Sequence, residues 1–87
     1  MKLYLCSQTE NGAYDTFDSM VVCADDENEA RQLDPAPWHP EPMMNPTKWN
    51  GAYTYWCSSP DKIEITYLGE ADPAIKKGVV LASFNAG

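Results

Sequence analysis

The chain has 87 residues, 13 acids against 6 bases for a formal net charge of −7, and 44% hydrophobic residues. A chain of that length makes a single domain and buries only about 60–65% of its unfolded surface. The charge argues against a nucleic-acid partner, because phosphate contacts need clustered lysine and arginine, and only Lys76 and Lys77 are adjacent. No apolar run approaches the ~20 residues of a membrane span, and the N-terminus turns polar too early for a secretory leader. A cytoplasmic protein with no membrane contact is expected. Its three cysteines, Cys6, Cys23 and Cys57, are an odd, widely spaced set with no local pair, which reads as three reduced core thiols.

Residues 2–8 open as a strand with Leu3 and Leu5 on one face and Tyr4 and Cys6 on the other. Apolar groups on both faces predict a strand covered twice, or one with a partner on its second face. Glu10-Asn11-Gly12 is a turn signal, and a polar loop follows to Asp18. Residues 19–24 form a second strand, antiparallel to the first. Asp26 with Glu29 three residues on is a helix-start pattern, and Glu27 can pair with Arg31 four residues later. Ala30 and Leu33 then face the core, and Asp34-Pro35 stops the helix, since a residue before proline avoids helical angles.

Residues 35–60 hold all three tryptophans, two of the five tyrosines, two of the four methionines and six of the seven prolines. Pro37, Pro40, Pro42 and Pro46 predict neither helix nor central strand. Residues 52–57 form a short strand after the Asn50-Gly51 turn. Residues 62–68 are the cleanest strand, with Ile63, Ile65 and Tyr67 alternating against Lys62, Glu64 and Thr66. A loop with one helical turn near Pro73 follows. Residues 79–84 are apolar on both faces and read as a buried strand beside the first, at the sheet centre. The expected fold is α+β: an antiparallel sheet of about four strands, one short helix on a face, and a long Pro/Trp-rich loop.

Chemistry-bearing constellations are sparse. Cys6, Cys23, Cys57 and His39 lack the local ligand pairs usual in zinc sites, so no metal is expected. A Cys57–His39 dyad has no evident orienting third group. Asp15 and Asp18 flank Thr16-Phe17 in the first loop, where such residues more often cap their own backbone than hold a cation or do acid–base work. No Gly-rich phosphate loop is present. Aromatic residues and methionine suit binding hot spots, and they also fill small cores; both readings stay open for the 35–60 segment.

Met1-Lys2-Leu3-Tyr4-Leu5, Tyr14-Asp15-Thr16-Phe17-Asp18-Ser19, Val21-Val22-Cys23-Ala24 with Glu29-Ala30-Arg31, Trp56-Cys57-Ser58-Ser59-Pro60-Asp61, Leu68-Gly69-Glu70-Ala71 and the stretch 78–87 resemble the pattern of small proteins encoded by tailed phages and prophages. The resemblance covers most of the chain except residues 35–50 and implies a setting, with no catalytic residues and no cofactor. The expectation is a non-catalytic protein that binds a host or defence protein, with Trp38, Met43, Met44, Trp49, Tyr53 and Tyr55 as anchors and Asp15 and Asp18 on a neighbouring loop. The alternative is an oligomeric nucleotide sponge, its phosphate contacts drawn from Arg31, Lys48, Lys76 and Lys77.

Overall fold

In the computed structural model, which describes residues 1–86, the alternating segments pair into one antiparallel sheet. Its strands are β1 (Lys2–Ser7), β2 (Thr16–Ala24), β3 (Glu64–Glu70) and β4 (Gly78–Asn85), in the order β3-β1-β2-β4. Two short helices, α1 (Glu27–Arg31) and α2 (Pro46–Trp49), complete an α+β fold.

The β1–β2 register sets Tyr4 opposite Val22 and Cys6 opposite Met20. These four side chains share one face and form the floor of the core, together with Ala30 and Leu33 from the helical segment. Asp26 caps α1 by accepting from the Glu29 amide at 2.8 Å. Glu29 reaches back to the Asp25 amide at 2.9 Å, one residue earlier than the usual capping box. Arg31 pairs with Glu27 at 3.0 Å and also donates to the Pro60 and Ile63 carbonyls, tying α1 to the entry of β3.

Four sequence expectations are corrected. First, the last strand lies at an edge beside β2, not in the centre beside β1. Residues 71–77 cross the sheet end, held by the Ala71 amide on the Met1 carbonyl and by Lys77 on Asp25 and Glu29. Apolar side chains on both faces of β4 therefore mark an exposed edge, with Leu81 69% and Val80 48% accessible. Second, residues 52–57 are not a strand. Ala52–Thr54 is a single 3-10 turn, and the Trp56 amide bonds back to the Ala52 carbonyl, coiling the chain inward. Third, Pro46 opens α2 rather than forbidding it: proline needs no donor at the first helical position, and Asn45 caps the turn by accepting from the Lys48 amide at 3.0 Å. Fourth, the loop before β2 is shorter than expected, because Asp15 turns the chain at φ 61° and β2 begins at Thr16. Asp tolerates that left-handed angle.

The core closes over the sheet with Trp56, Leu33, Ala52, Cys57 and Ile63. Trp56 is fully buried. The Glu10-Asn11-Gly12 turn also fastens this layer. Buried Gln8 bonds the Asn11 amide and the Asn11 and Phe17 carbonyls, while Asn11 Nδ2 reaches the Trp56 carbonyl at 3.2 Å. No helix among the described residues is long and apolar enough to cross a membrane.

Candidate binding groove

Residues 35–42 loop out above the core face of β4 and leave a groove of about 780 Å³ between loop and strand. Its strand wall is formed by residues 78–82 and Phe84, and its loop wall by Asp34, Pro35, Pro37, Trp38 and Pro42. β4 carries no charged side chain, and no strand lies beside its outer edge among the described residues. Natural edge strands are usually blunted by lysine, proline or inward charge. β4 has a bulge near Val80 and none of those.

Trp38 is 57% accessible and stands between this groove and a second pocket of about 570 Å³ on its other side. Its ring packs against Phe17 at 5.8 Å, Tyr55 at 6.1 Å and Phe84 at 6.3 Å. Phe17 and Phe84 lie opposite each other across β2 and β4 with ring centroids 4.9 Å apart. The indole is thus propped from beneath by aromatic side chains while its upper part stays open.

The loop is pinned by one carboxylate. Asp34 is buried and accepts from the Ala36 amide at 2.9 Å, from the Tyr55 hydroxyl at 3.2 Å and from His39 Nδ1. Lys48 Nζ lies 3.5 Å from Oδ2, the oxygen shared by Tyr55 and His39, and also donates to the carbonyls of Glu41 and Met43. The pairing of Leu33 with Met43 closes the loop at its base, helped by the Asp34 amide on the Pro42 carbonyl at 2.8 Å. Burial, and then the Asp34 charge, push the Tyr55 phenol well above its ordinary range, so it serves as a hydroxyl donor.

The expected anchors divide. Trp38, Met43 and Tyr53 are exposed, and Asp15 and Asp18 lie on the surface. Met44 and Tyr55 are corrected to core residues, 6% and 8% accessible. Trp49 packs half-buried against the core, its Nε1 near Gln32 Oε1 at 3.4 Å. The second pocket brings Trp38, Tyr55 and Asp15 together and does not include Tyr53 or Asp18. Asp15 acts at the turn through its amide, which donates to the Asn85 carbonyl at 2.6 Å. Sequence reasoning missed Phe17, Phe84 and the β4 edge, although an uncharged eight-residue run in so acidic a chain was a readable signal. It also missed the convergence of Asp34, His39, Lys48 and Tyr55.

The thiols stay inert. Cys6, Cys23 and Cys57 are all buried and free. Burial pushes the Cys6 thiol up to about 12 and Cys57 up to about 11. His39 bonds Asp34 and approaches Tyr55, so its polar contacts are not to a cysteine. Among the described residues no group of three or more acids, histidines and cysteines is placed to hold a metal ion.

A pH prediction follows from these thiols. Below an ordinary thiol value of ~8.5 both folded and unfolded chains keep the protons, and stability is independent of them. Above it the unfolded chain releases protons that folded Cys57 and Cys6 retain, so stability falls as pH rises toward about 11 and 12. The thermal midpoint should hold steady through neutrality and drop above pH ~9, and native protein at neutral pH should not label at Cys6 or Cys57 with an alkylating reagent. Rapid labelling of either in the folded state would contradict the burial.

No protein-family model, no curated protein and no solved structure matches the chain. The groove's own residues therefore carry the functional reading.

Proposed function

We propose that the protein is a non-catalytic binding module that takes an extended, apolar segment of a partner protein into the groove between β4 and the 35–42 loop. The observation that carries this reading is the uncharged, open edge of β4 lying beneath an exposed, propped tryptophan. An extended chain laid along such an edge gains main-chain hydrogen bonds, and its alternate side chains enter the apolar groove. Trp38 supplies the large, rigid contact typical of a binding hot spot. The resemblance to phage-encoded proteins makes a host or defence protein the expected source of that segment.

The nucleotide alternative draws less support, because three of its four phosphate-contacting cations already have partners and Lys76 is the exposed one left. Arg31 is engaged by Glu27 and two carbonyls, Lys48 by Asp34, and Lys77 by Asp25 and Glu29.

The test uses two surface substitutions that leave the core intact. Immobilised protein should recover a partner from host lysate, and both Trp38→Ala and Val80→Lys should lose it while unfolding at the wild-type temperature. Val80→Lys places a charge on the open edge, as natural edge strands do to refuse pairing. Undiminished capture by both variants would reject the groove as the binding surface. Met44→Ala is not a useful probe, because that side chain belongs to the core.

A further inference from the structure

The sheet has a second face. Every strand residue in the core cluster lies on the side beneath α1 and Trp56, and Leu3, Leu5, Val21 and Leu81 are absent from that cluster. Register places them together on the opposite side. Leu5 faces Thr66 on β3 and Val21 on β2, and Val21 faces Leu81 on β4, giving one continuous row across four strands. The row on one side pairs Leu3 with Cys23, whose sulfur is closed over by Met1 at 3.9 Å. The row on the other side sets Ser7, Ser19 and Ser83 next to one another, with Glu64 at the corner.

We infer that this outer face is an interface between two copies of the chain, packed sheet to sheet about a two-fold axis. Domains bury a sheet's apolar face against a second layer, and here the described residues supply a full layer for one face only, Met1 and Ile75 covering just the Cys23 corner of the other. A two-fold contact joins the same patch on both partners, so the patch must be compatible with itself. Most of this chain's surface fails that condition, since 13 acids against 6 bases make identical copies repel. The outer face meets it, because Glu64 is the one charged residue in its three paired rows, and that residue sits on an edge strand. The central strands offer only leucine, valine and serine to the opposing sheet, Cys23 being already covered within the chain. The loop wall of the groove lies on the other side of the sheet and stays free in such a dimer, with Leu81 bordering both surfaces.

Sedimentation velocity at about 100 μM, where even a micromolar dimer is populated, tests the inference on the full chain. Wild type should sediment at twice the 9.7 kDa chain mass. Thr66→Glu adds a charge at an exposed position in the middle row, on the edge strand away from the groove. It should weaken dimerisation by at least roughly tenfold and leave circular dichroism and unfolding unchanged. Val80→Lys, which blocks the open edge of β4, should remain dimeric even where it abolishes partner capture. A monomeric wild type, or a Thr66→Glu dimer of unchanged affinity, would overturn the sheet-to-sheet interface. A monomeric Val80→Lys would overturn it in favour of edge-to-edge pairing.

Discussion

Trp56→Ala should leave the chain without a cooperative unfolding transition at 25 °C. Trp56 is the largest fully buried side chain in the protein and contacts a core assembled from both the sheet and the helical layer. Truncating a buried tryptophan or phenylalanine to alanine costs about 3–5 kcal/mol. The whole domain, at this length, holds roughly 4–13 kcal/mol, so one substitution removes anywhere from about a quarter to all of it. The indole also has a measurable imperfection: among the described residues its Nε1 is the buried side-chain polar atom with no hydrogen-bond partner. Trp56→Phe deletes that orphan donor together with part of the volume, and it should stay folded where alanine does not. Circular dichroism during a thermal scan reads both variants. A sharp transition near the wild-type midpoint in Trp56→Ala would mean that this core is held by something other than its central indole.

Asp34→Ala should have the second-largest effect, and it should reach the groove as well as the fold. Removing one partner from a buried charge network leaves the others desolvated without compensation, at about 3–5 kcal/mol. Here the abandoned groups are Lys48 Nζ, the Tyr55 hydroxyl, the Ala36 amide and His39 Nδ1. For a domain of this size each kcal/mol moves the midpoint by roughly 4–8 °C, so a fall of about 12–40 °C is expected. Asp34→Asn keeps one oxygen, for either the Ala36 amide on Oδ1 or the Tyr55 hydroxyl on Oδ2, and should fall less. Below its midpoint, Asp34→Ala should also lose hydrogen-exchange protection in the 35–42 loop and lose partner capture, because Trp38 no longer has a fixed platform. A variant that keeps its midpoint and its loop protection would show that the carboxylate is not what holds the loop.

Local signals in the sequence were legible. The Asp26 and Glu29 cap, the Glu27–Arg31 pair and the core placement of Ala30 and Leu33 depend on residues within one or two helical turns, and each stands in the structure as read. The antiparallel sheet of about four strands was legible from short apolar runs set between turn signals, of which residues 62–68 alternate most cleanly. What could not be read was the partner of each apolar surface. A strand with apolar side chains on both faces describes a covered central strand and an open edge beside a groove equally well, and β4 is the second. Likewise the tryptophans differ by destination rather than by type: Trp56 is sealed, Trp49 is half-buried and Trp38 stands in solvent. Asp34 read as a helix stop because its neighbour is proline. Its wider role arises from Lys48 and Tyr55, 14 and 21 residues away, and only tertiary folding brings them to one oxygen.

Because a single buried carboxylate gathers amide, hydroxyl, imidazole and ammonium donors, the loop's shape is fixed from beneath and not by the residues at its crest. Pro37, Trp38, Pro40 and Glu41 could then be exchanged as a cassette without rebuilding the domain. A scaffold organised this way can be retargeted by altering a handful of codons, which makes Pro37, Trp38, Pro40 and Glu41, with His39 kept, the natural positions to randomise in a selection for new specificities.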